Sequence, residues 1–282
     1  MGVIVGLDIG GSTTKIVGFK GERLLSRAQV KASNPVASAY GGLGSFLEEN
    51  NMNISEVDEI RVTGVGASFL SGNLLDRPTK ASPEFDSVGR GGLYLSKRDE
   101  AIVVSMGTGT SIVAARHGAV THIIGSGVGG GTLAGLGSRM LNIRDVDTLM
   151  NLSDTGDLSL VDLTVGDISK AEIPGLSPDT TASNFGKLSD LASSSDIALG
   201  IVNLVFQSVA TAAVMAARSE GLDTIVFSGY LTSIKSGHDV LARFSTLYGI
   251  EILIPEFAEF ATAIGAALGN GYHDRDKLSV DS

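Results

Sequence analysis

The sequence predicts an α/β fold of two lobes, each a mixed sheet with helices, facing one another across a cleft. Two glycine-threonine loops carry that prediction. The first lies in Val3-Ile4-Val5-Gly6-Leu7-Asp8-Ile9-Gly10-Gly11-Ser12-Thr13-Thr14-Lys15-Ile16-Val17. The second lies in Ala101-Ile102-Val103-Val104-Ser105-Met106-Gly107-Thr108-Gly109-Thr110-Ser111-Ile112-Val113. In each, an apolar strand enters a tight glycine turn and a second apolar strand leaves it, which is a β-hairpin. A dinucleotide fold or a P-loop needs a helix after its glycines instead. Paired hairpins of this kind suit the gripping of a nucleoside triphosphate from two sides. Backbone N–H groups and hydroxyls donate to phosphate oxygens, and glycine lets the backbone come close. The third observation is that a hairpin sheet followed by helices occurs twice, with no short-period repeat. The lobe boundary is placed near residue 100, giving lobes of 1–100 and 101–282.

The elements follow in order. Residues 1–30 read as consecutive strands, with Gly21-Glu22 as a second turn. A helix is expected over 36–49, with Pro35 suiting its start. A strand is expected over 57–65 and a helix over 84–97, beginning near Ser82-Pro83-Glu84. The second hairpin occupies 101–124. Gly125-Ser126-Gly127-Val128-Gly129-Gly130-Gly131-Thr132 then feeds an apolar helix carrying Leu133, Leu136, Met140 and Leu141. Free N–H groups at such a helix start make an anion site, although a glycine-rich turn by itself is often only a turn. Residues 145–196 hold ten acidic and two basic residues and read as a less regular, solvated subdomain. Their spacing does not match a calcium loop. A long helix over 196–220, strands over 224–230 and 250–254, and a small-residue helix over 260–268 complete the chain. In that last helix Gly265 permits close packing. A polar tail fills 272–282.

Composition narrows the function. The 282 residues are 43% hydrophobic, with 37 glycines and neither cysteine nor tryptophan. Thiolate zinc sites, iron–sulfur clusters and disulfides are therefore excluded, and a cytoplasmic setting fits. A net charge of −10 and a pI near 4.8 argue against a nucleic-acid partner, since phosphate backbones are held by clustered Lys and Arg. The apolar start meets Asp8 at once and has no basic flank, unlike a signal peptide. From Ile197 to Ala217 no residue is charged, but Asn203, Gln207, Ser208 and Thr211 interrupt the run. A buried helix, at a lobe centre or a dimer interface, is the expectation rather than a membrane span. His117, His238 and His273 show no metal spacing and read as surface residues.

These motifs resemble those of a known superfamily. The Asp8–Lys15 loop, the Gly107–Thr110 loop and Ser228-Gly229 at a strand end are similar to the three nucleotide motifs of the actin-like ATPases, whose fold is ribonuclease H-like. Within that superfamily the chain resembles the type II pantothenate kinases, and the likeness spans nearly its whole length. Pro83-Glu84-Phe85-Asp86, Ser105–Ser111, Gly129-Gly130-Gly131, Asp162-Leu163 with Asp167-Ile168, Thr181-Ala182-Ser183-Asn184-Phe185-Gly186 and Ala263-Ile264-Gly265-Ala266 carry it.

The resemblance implies ATP and Mg²⁺, transfer of phosphate to the primary hydroxyl of pantothenate, and a homodimer built on helix 196–220. It implies Glu84 as general base; composition alone reads Glu84 equally as an acidic residue favoured at a helix start. It implies Asp8 as the Mg²⁺ carboxylate, acting through water, where a turn-capping role is the alternative. Lys15 would neutralise phosphate charge. Gly10, Gly11, Ser12, Thr13 and Thr14 would contact phosphates, as would Gly107, Thr108, Gly109 and Thr110. Gly130, Gly131, Thr132 and Leu133 would line the nucleotide site, and Gly229 and Tyr230 would lie near the adenosine. Two departures stand out. The family pattern has an Arg before the second glycine loop, meeting the substrate carboxylate; here Thr121-His122-Ile123-Ile124-Gly125 places His122 and Gly125 at the acceptor. Ala261-Thr262-Ala263 places Thr262 where a Gly is usual. An acceptor without a carboxylate, such as pantetheine, is therefore an alternative. So are an N-acetylhexosamine kinase, although the metal-binding Cys/His cluster of many sugar kinases is missing, and a nucleotide-binding regulator. An ATPase that activates a dehydratase needs cluster cysteines that this chain lacks.

Overall fold

The computed structural model describes residues 2–11, 13–21, 23–31 and 34–269. The first lobe opens with three antiparallel strands, β1 (Val3–Ile9), β2 (Thr13–Lys20) and β3 (Arg23–Lys31). Helix α1 (Pro35–Glu49) starts where Asn34 accepts the N–H of Ala37 and Pro35 fills the first turn, a position where its missing N–H costs nothing. It leads to β4 (Val57–Thr63) and β5 (Thr79–Ala81), both added in parallel, so the sheet runs β3-β2-β1-β4-β5.

Helix α2 (Glu84–Ser96) then enters the second lobe, where β6 (Glu100–Met106), β7 (Thr110–Arg116) and β8 (Ala119–Ser126) form another antiparallel set. Next come α3 (Gly130–Leu141), α4 (Val146–Ser153), a two-stranded sheet of β9 (Leu163–Thr164) and β10 (Thr181–Ser183) enclosing the short α5 (Val165–Ile168), and the long α6 (Ser194–Glu220). Strand β11 (Thr224–Ser228), helix α7 (Lys235–Tyr248), strand β12 (Glu251–Leu253) and helix α8 (Ala261–Leu268) complete the described residues. The second sheet runs β12-β11-β6-β7-β8 with β11 and β12 parallel. The two sheets thus share one topology, and the doubling read from the sequence is a doubling of fold. Parallel neighbours require helical crossovers, which α1 and α6 supply at the corresponding places.

Strand alternation makes both sheets bury two faces. In β1, Val5, Leu7 and Ile9 pack with Leu43 and Phe46 of α1. The opposite face of that sheet takes Val17, Phe19 and α8, through Ala263, Ile264 and Ala267. In β6, Ile102, Val104 and Met106 meet α6 through Val205, Phe206 and Val209, while Ala101 and Val103 meet α2 through Val88 and Leu93. The layers therefore run α1, first sheet, α8 against α2, second sheet, α6. The lobes interleave: α2 precedes residue 100 yet packs on the second sheet, and α8 comes from the chain end yet packs on the first. The uncharged run lies in α6, mostly buried. This helix is long and apolar enough to cross a membrane by length and composition, and 61% of its apolar window is inside the protein. The segment after residue 230 holds α7, which the sequence reading left unassigned, and α3 starts inside the glycine run rather than after it. Glu22 of the second turn, His273 and the 272–282 tail lie outside the described residues.

Candidate active site

A cleft of about 860 Å³ lies between the lobes, lined by both glycine loops, Glu84, His122 and the start of α3. The loops face each other: a Cβ added at Gly11 would lie 3.9 Å from Thr108 Oγ1. In the first loop, Asp8, Gly10, Gly11, Thr13 and Lys15 line the cleft. Thr14 does not. Alternation turns it to the other face, where it is buried and hydrogen-bonds Ser38 at 2.7 Å. Ser12 lies outside the described residues. In the second loop, Gly107, Thr108, Gly109 and Thr110 all line the cleft, with the Thr110 hydroxyl donating to Val128 O at 2.8 Å. Among the described residues, the N–H groups of Thr108 and Gly109 donate to no protein acceptor.

The α3 start requires a correction. Its N–H groups are not free, because Gly130 N donates to Gly107 O at 2.9 Å and Gly131 N to Thr108 O at 2.8 Å. The N–H groups of Thr132 and Leu133 both donate to Gly129 O. The helix start is thus a clamp that holds the second loop, with Gly130 and Gly131 still on the cleft wall. Thr132 caps the turn, donating to Gly127 O at 3.1 Å and accepting from Gly129 N at 3.2 Å. Leu133 is fully buried in the second-lobe core, and neither it nor Thr132 lines the cleft.

Gly229 follows β11 at φ +92, with an added Cβ 2.6 Å from Met106 O; both the backbone angle and the approach require glycine. Tyr230 stands next to it on the cleft wall. Three groups that sequence reasoning missed join it: Lys31, Asp145 and Asp147. Lys31 and Asp147 are 116 positions apart, so no local pattern marks them.

The centre of the cleft is short of positive charge. Burial pushes the Asp8 carboxyl above its ordinary range, and Lys15, at 4.0 Å, only partly opposes this. Glu84 opens onto the cleft at the first position of α2. Its carboxyl is also raised, first by desolvation and then by the charge of Asp8. Two carboxylates that resist ionisation together accommodate a hard cation. No group of three or more His, Asp or Glu residues that could hold a metal by itself occurs among the described residues. That donor set fits Mg²⁺, which is held by one or two carboxylates together with water and substrate phosphates.

Beside Glu84, Phe85 stacks on the His122 imidazole with ring centroids 4.0 Å apart and planes 14° apart. Val65, Gly125 and the buried Thr262 complete this end of the lining. Asn184 and Phe185, from the Thr181–Gly186 segment, are not on the cleft lining and bond to Asp162 instead. Asp162, fully buried, accepts from Phe185 N at 2.8 Å, Asn203 Nδ2 at 2.6 Å and Asn184 Nδ2 at 3.3 Å, which fastens the acidic subdomain to α6.

A family model described as Fumble matches residues 25–268. A type II pantothenate kinase of Bacillus cereus is 30% identical over 80% of this chain and 82% of its own. One of Staphylococcus haemolyticus is 28% identical over 93% of this chain and 98% of its own. Among solved structures, the activator of the 2-hydroxyisocaproyl-CoA dehydratase from Clostridium difficile, with bound ADPNP, superposes with a TM-score of 0.68 at 18% identity, covering 99% of this chain and 98% of its own. A ROK family glucokinase from Streptomyces griseus, in complex with glucose and AMPPNP, gives 0.61 at 12% identity, with coverages of 94% and 98%. These likenesses place the fold among the actin-like ATPases.

Proposed function

The chain belongs to the Fumble family of type II pantothenate kinases, and on that premise we propose that it transfers the γ-phosphoryl group of ATP to the primary hydroxyl of pantothenate, with Glu84 as general base. The observation that carries this reading is the pairing of Glu84 and Asp8, both raised carboxyls, in one cleft between two glycine loops. Phosphoryl transfer is mainly positioning and charge neutralisation. The loop N–H groups and Lys15 hold the phosphates. Asp8 would hold Mg²⁺ through water; when bound, the ion neutralises charge on the β- and γ-phosphates. Glu84 takes the hydroxyl proton while the acceptor oxygen bonds phosphorus and the bridging bond to ADP breaks. Its raised pKa makes it a stronger base than an ordinary carboxylate, and a general base contributes roughly 10²–10⁴ in rate.

A second reading of the acceptor is favoured by the His122–Phe85 stack. Arg carries a permanent charge and a bidentate fork for a carboxylate, and an imidazole does not. This end of the cleft suits pantetheine, or another acceptor lacking the carboxylate. Two copies of the chain pair through α6, where Leu204, Ser208, Thr211 and Met215 leave an uncharged stripe at the surface; sedimentation at micromolar concentration tests this.

The deciding assay measures ADP release from ATP and Mg²⁺ with pantothenate and pantetheine side by side, using Glu84→Gln as the blank. Turnover of pantothenate supports the family reaction. Turnover of pantetheine alone supports the second reading. Silence with both, in a chain that binds ATP, refutes both acceptors and favours the sugar-kinase or regulator readings.

A further inference from the structure

Lys31 and Asp147 meet across the mouth of the cleft, and their placement has a chemical meaning. Lys31 is the residue opposite Thr13 of the first loop in the β2–β3 ladder. From there its ammonium crosses to the other lobe and donates to Asp147 Oδ2 at 2.6 Å. Asp147 Oδ1 accepts from the Tyr230 hydroxyl. Lys31 and Tyr230 hold the Asp147 carboxyl below its usual range, so it is ionised at neutral pH. Asp145, its neighbour on the lining, is occupied locally: its Oδ2 accepts from Thr148 N at 2.8 Å and from Thr148 Oγ1 at 2.7 Å.

An ionised carboxylate repels polyphosphate, yet Asp147 faces a cleft whose loops are built for it. Lys15 stands by the loops beside Asp8, whereas Asp147, its charge balanced by Lys31, stands with Tyr230 and Leu231 on the second-lobe wall, and Arg144 lines the same cleft. The Asp147 carboxylate offers acceptors on that wall, and the donors of a nucleotide are on its nucleoside. Each carboxylate oxygen accepts more than one hydrogen bond. Asp147 therefore keeps acceptor capacity after Lys31 and Tyr230 have fixed its orientation. We propose that Asp147 reads the ribose hydroxyls of the nucleotide, and that Lys31, reaching from the opposite lobe, is the positioning residue that holds it there. The inference rests on the nucleotide reading of the cleft.

The test compares ATP with 2′-deoxyATP and 3′-deoxyATP as phosphoryl donors, in kcat/KM, for the full chain. A hydrogen bond to a charged group carries about tenfold to a hundredfold discrimination. The unchanged protein prefers ATP over at least one deoxy donor by that factor, and Asp147→Ala brings the donors within about twofold of each other. Lys31→Met lowers the preference and Lys31→Arg restores it, a pattern that a role in folding alone would not produce. Equal use of all donors by the unchanged protein overturns the inference. So does an Asp147→Ala variant that loses ATP and the deoxy donors in equal proportion, because Asp147 would then be only a strut between lobes. Failure of the unchanged protein to bind ATP by titration calorimetry refutes the nucleotide reading itself, an outcome separate from either of these.

Discussion

Replacing Gly265 by alanine tests how closely fold and chemistry are joined. Helices α2 and α8 cross backbone to backbone between the sheets. A Cβ at Gly265 would lie 1.8 Å from Ser87 O, and one at Gly91 would lie 1.8 Å from Ala261 O. A carbon meets a carbonyl oxygen without repulsion at ~3.3 Å, so Gly265→Ala must part the helices by about 1.5 Å. No rotamer change relieves a clash with backbone. Overpacking costs about 1–3 kcal/mol, and this site belongs at the upper end. Better helix propensity returns only about 0.5–1 kcal/mol. The net loss is about 2 kcal/mol, a large share of the roughly 5–15 kcal/mol that holds a protein folded. At about 2–4 °C per kcal/mol, Tm falls by about 4–8 °C. Ser87 lies less than one turn from Glu84, and a misplacement of ~1 Å at a reacting group can cost about 10²-fold. The kcat with saturating ATP and acceptor should fall by about that factor, beyond what the stability loss explains at 15 °C. Gly44→Ala is the control: its Cβ meets nothing within 4 Å, and it should raise stability by about 0.5–1 kcal/mol with kcat unchanged. A Gly265→Ala protein with unaltered Tm and kcat would refute the reasoning.

Three further outcomes follow from the cleft. A base must be ionised to act, and Glu84 is held above the ordinary carboxylate range. The rising limb of kcat/KM against pH should therefore lie above that range, and carboxyl-carbon NMR should show the Glu84 titration moving down in Asp8→Asn. Asp8, raised by burial, binds its proton more tightly folded than unfolded; its contribution is present below pH 3.8 and is lost as pH rises through the folded pKa. Asp8→Asn should therefore be more stable than the unchanged protein at pH 7, with the difference closing below pH 4 in urea titrations. His122→Arg should improve kcat/KM for pantothenate by about tenfold to a hundredfold and leave pantetheine little changed; an unaltered ratio would remove His122 from acceptor choice.

Much of the fold was legible because hairpins write a period of two into the sequence. The alternation that buries Ile16 against α1 also faces Lys15 to the cleft. Applied strictly, it would have turned Thr14 away from the phosphates, where loop-level reading placed it. Leu133 carried its own signal as well, since an apolar residue one turn into a helix is a core residue before it is a ligand. Helix α7 was missed because its apolar residues, Val240, Leu241 and Phe244, form a narrow stripe and no side chain caps its start. Gly265 was readable as a close-packing glycine, but its partner Ser87 was not, nor was the pairing of Lys31 with Asp147. Those contacts exist only once the two lobes are set against each other.

That setting decides the chemistry. Asp8 belongs to β1 of the first sheet, whereas Glu84 begins a helix packed on the second. The proposed base and the carboxylate that would carry the metal thus come from different lobes, and their separation is fixed by how the lobes sit. The α2–α8 crossing fixes it from below, with no side chain between the backbones to yield. From the side, Arg61 in β4 donates to Ala267 O of α8 at 2.8 Å, and the Arg27 guanidinium of β3 lies 3.6 Å from the centre of the Phe257 ring. These contacts hold α8 and the segment before it to the first sheet, while Lys31 and Asp147 span the mouth. The coulombic push of Asp8 on Glu84 is then a function of lobe position: closing the cleft raises the Glu84 pKa further unless a cation enters between them. On the proposed assignment, a cation bound between them would let both carboxylates ionise together.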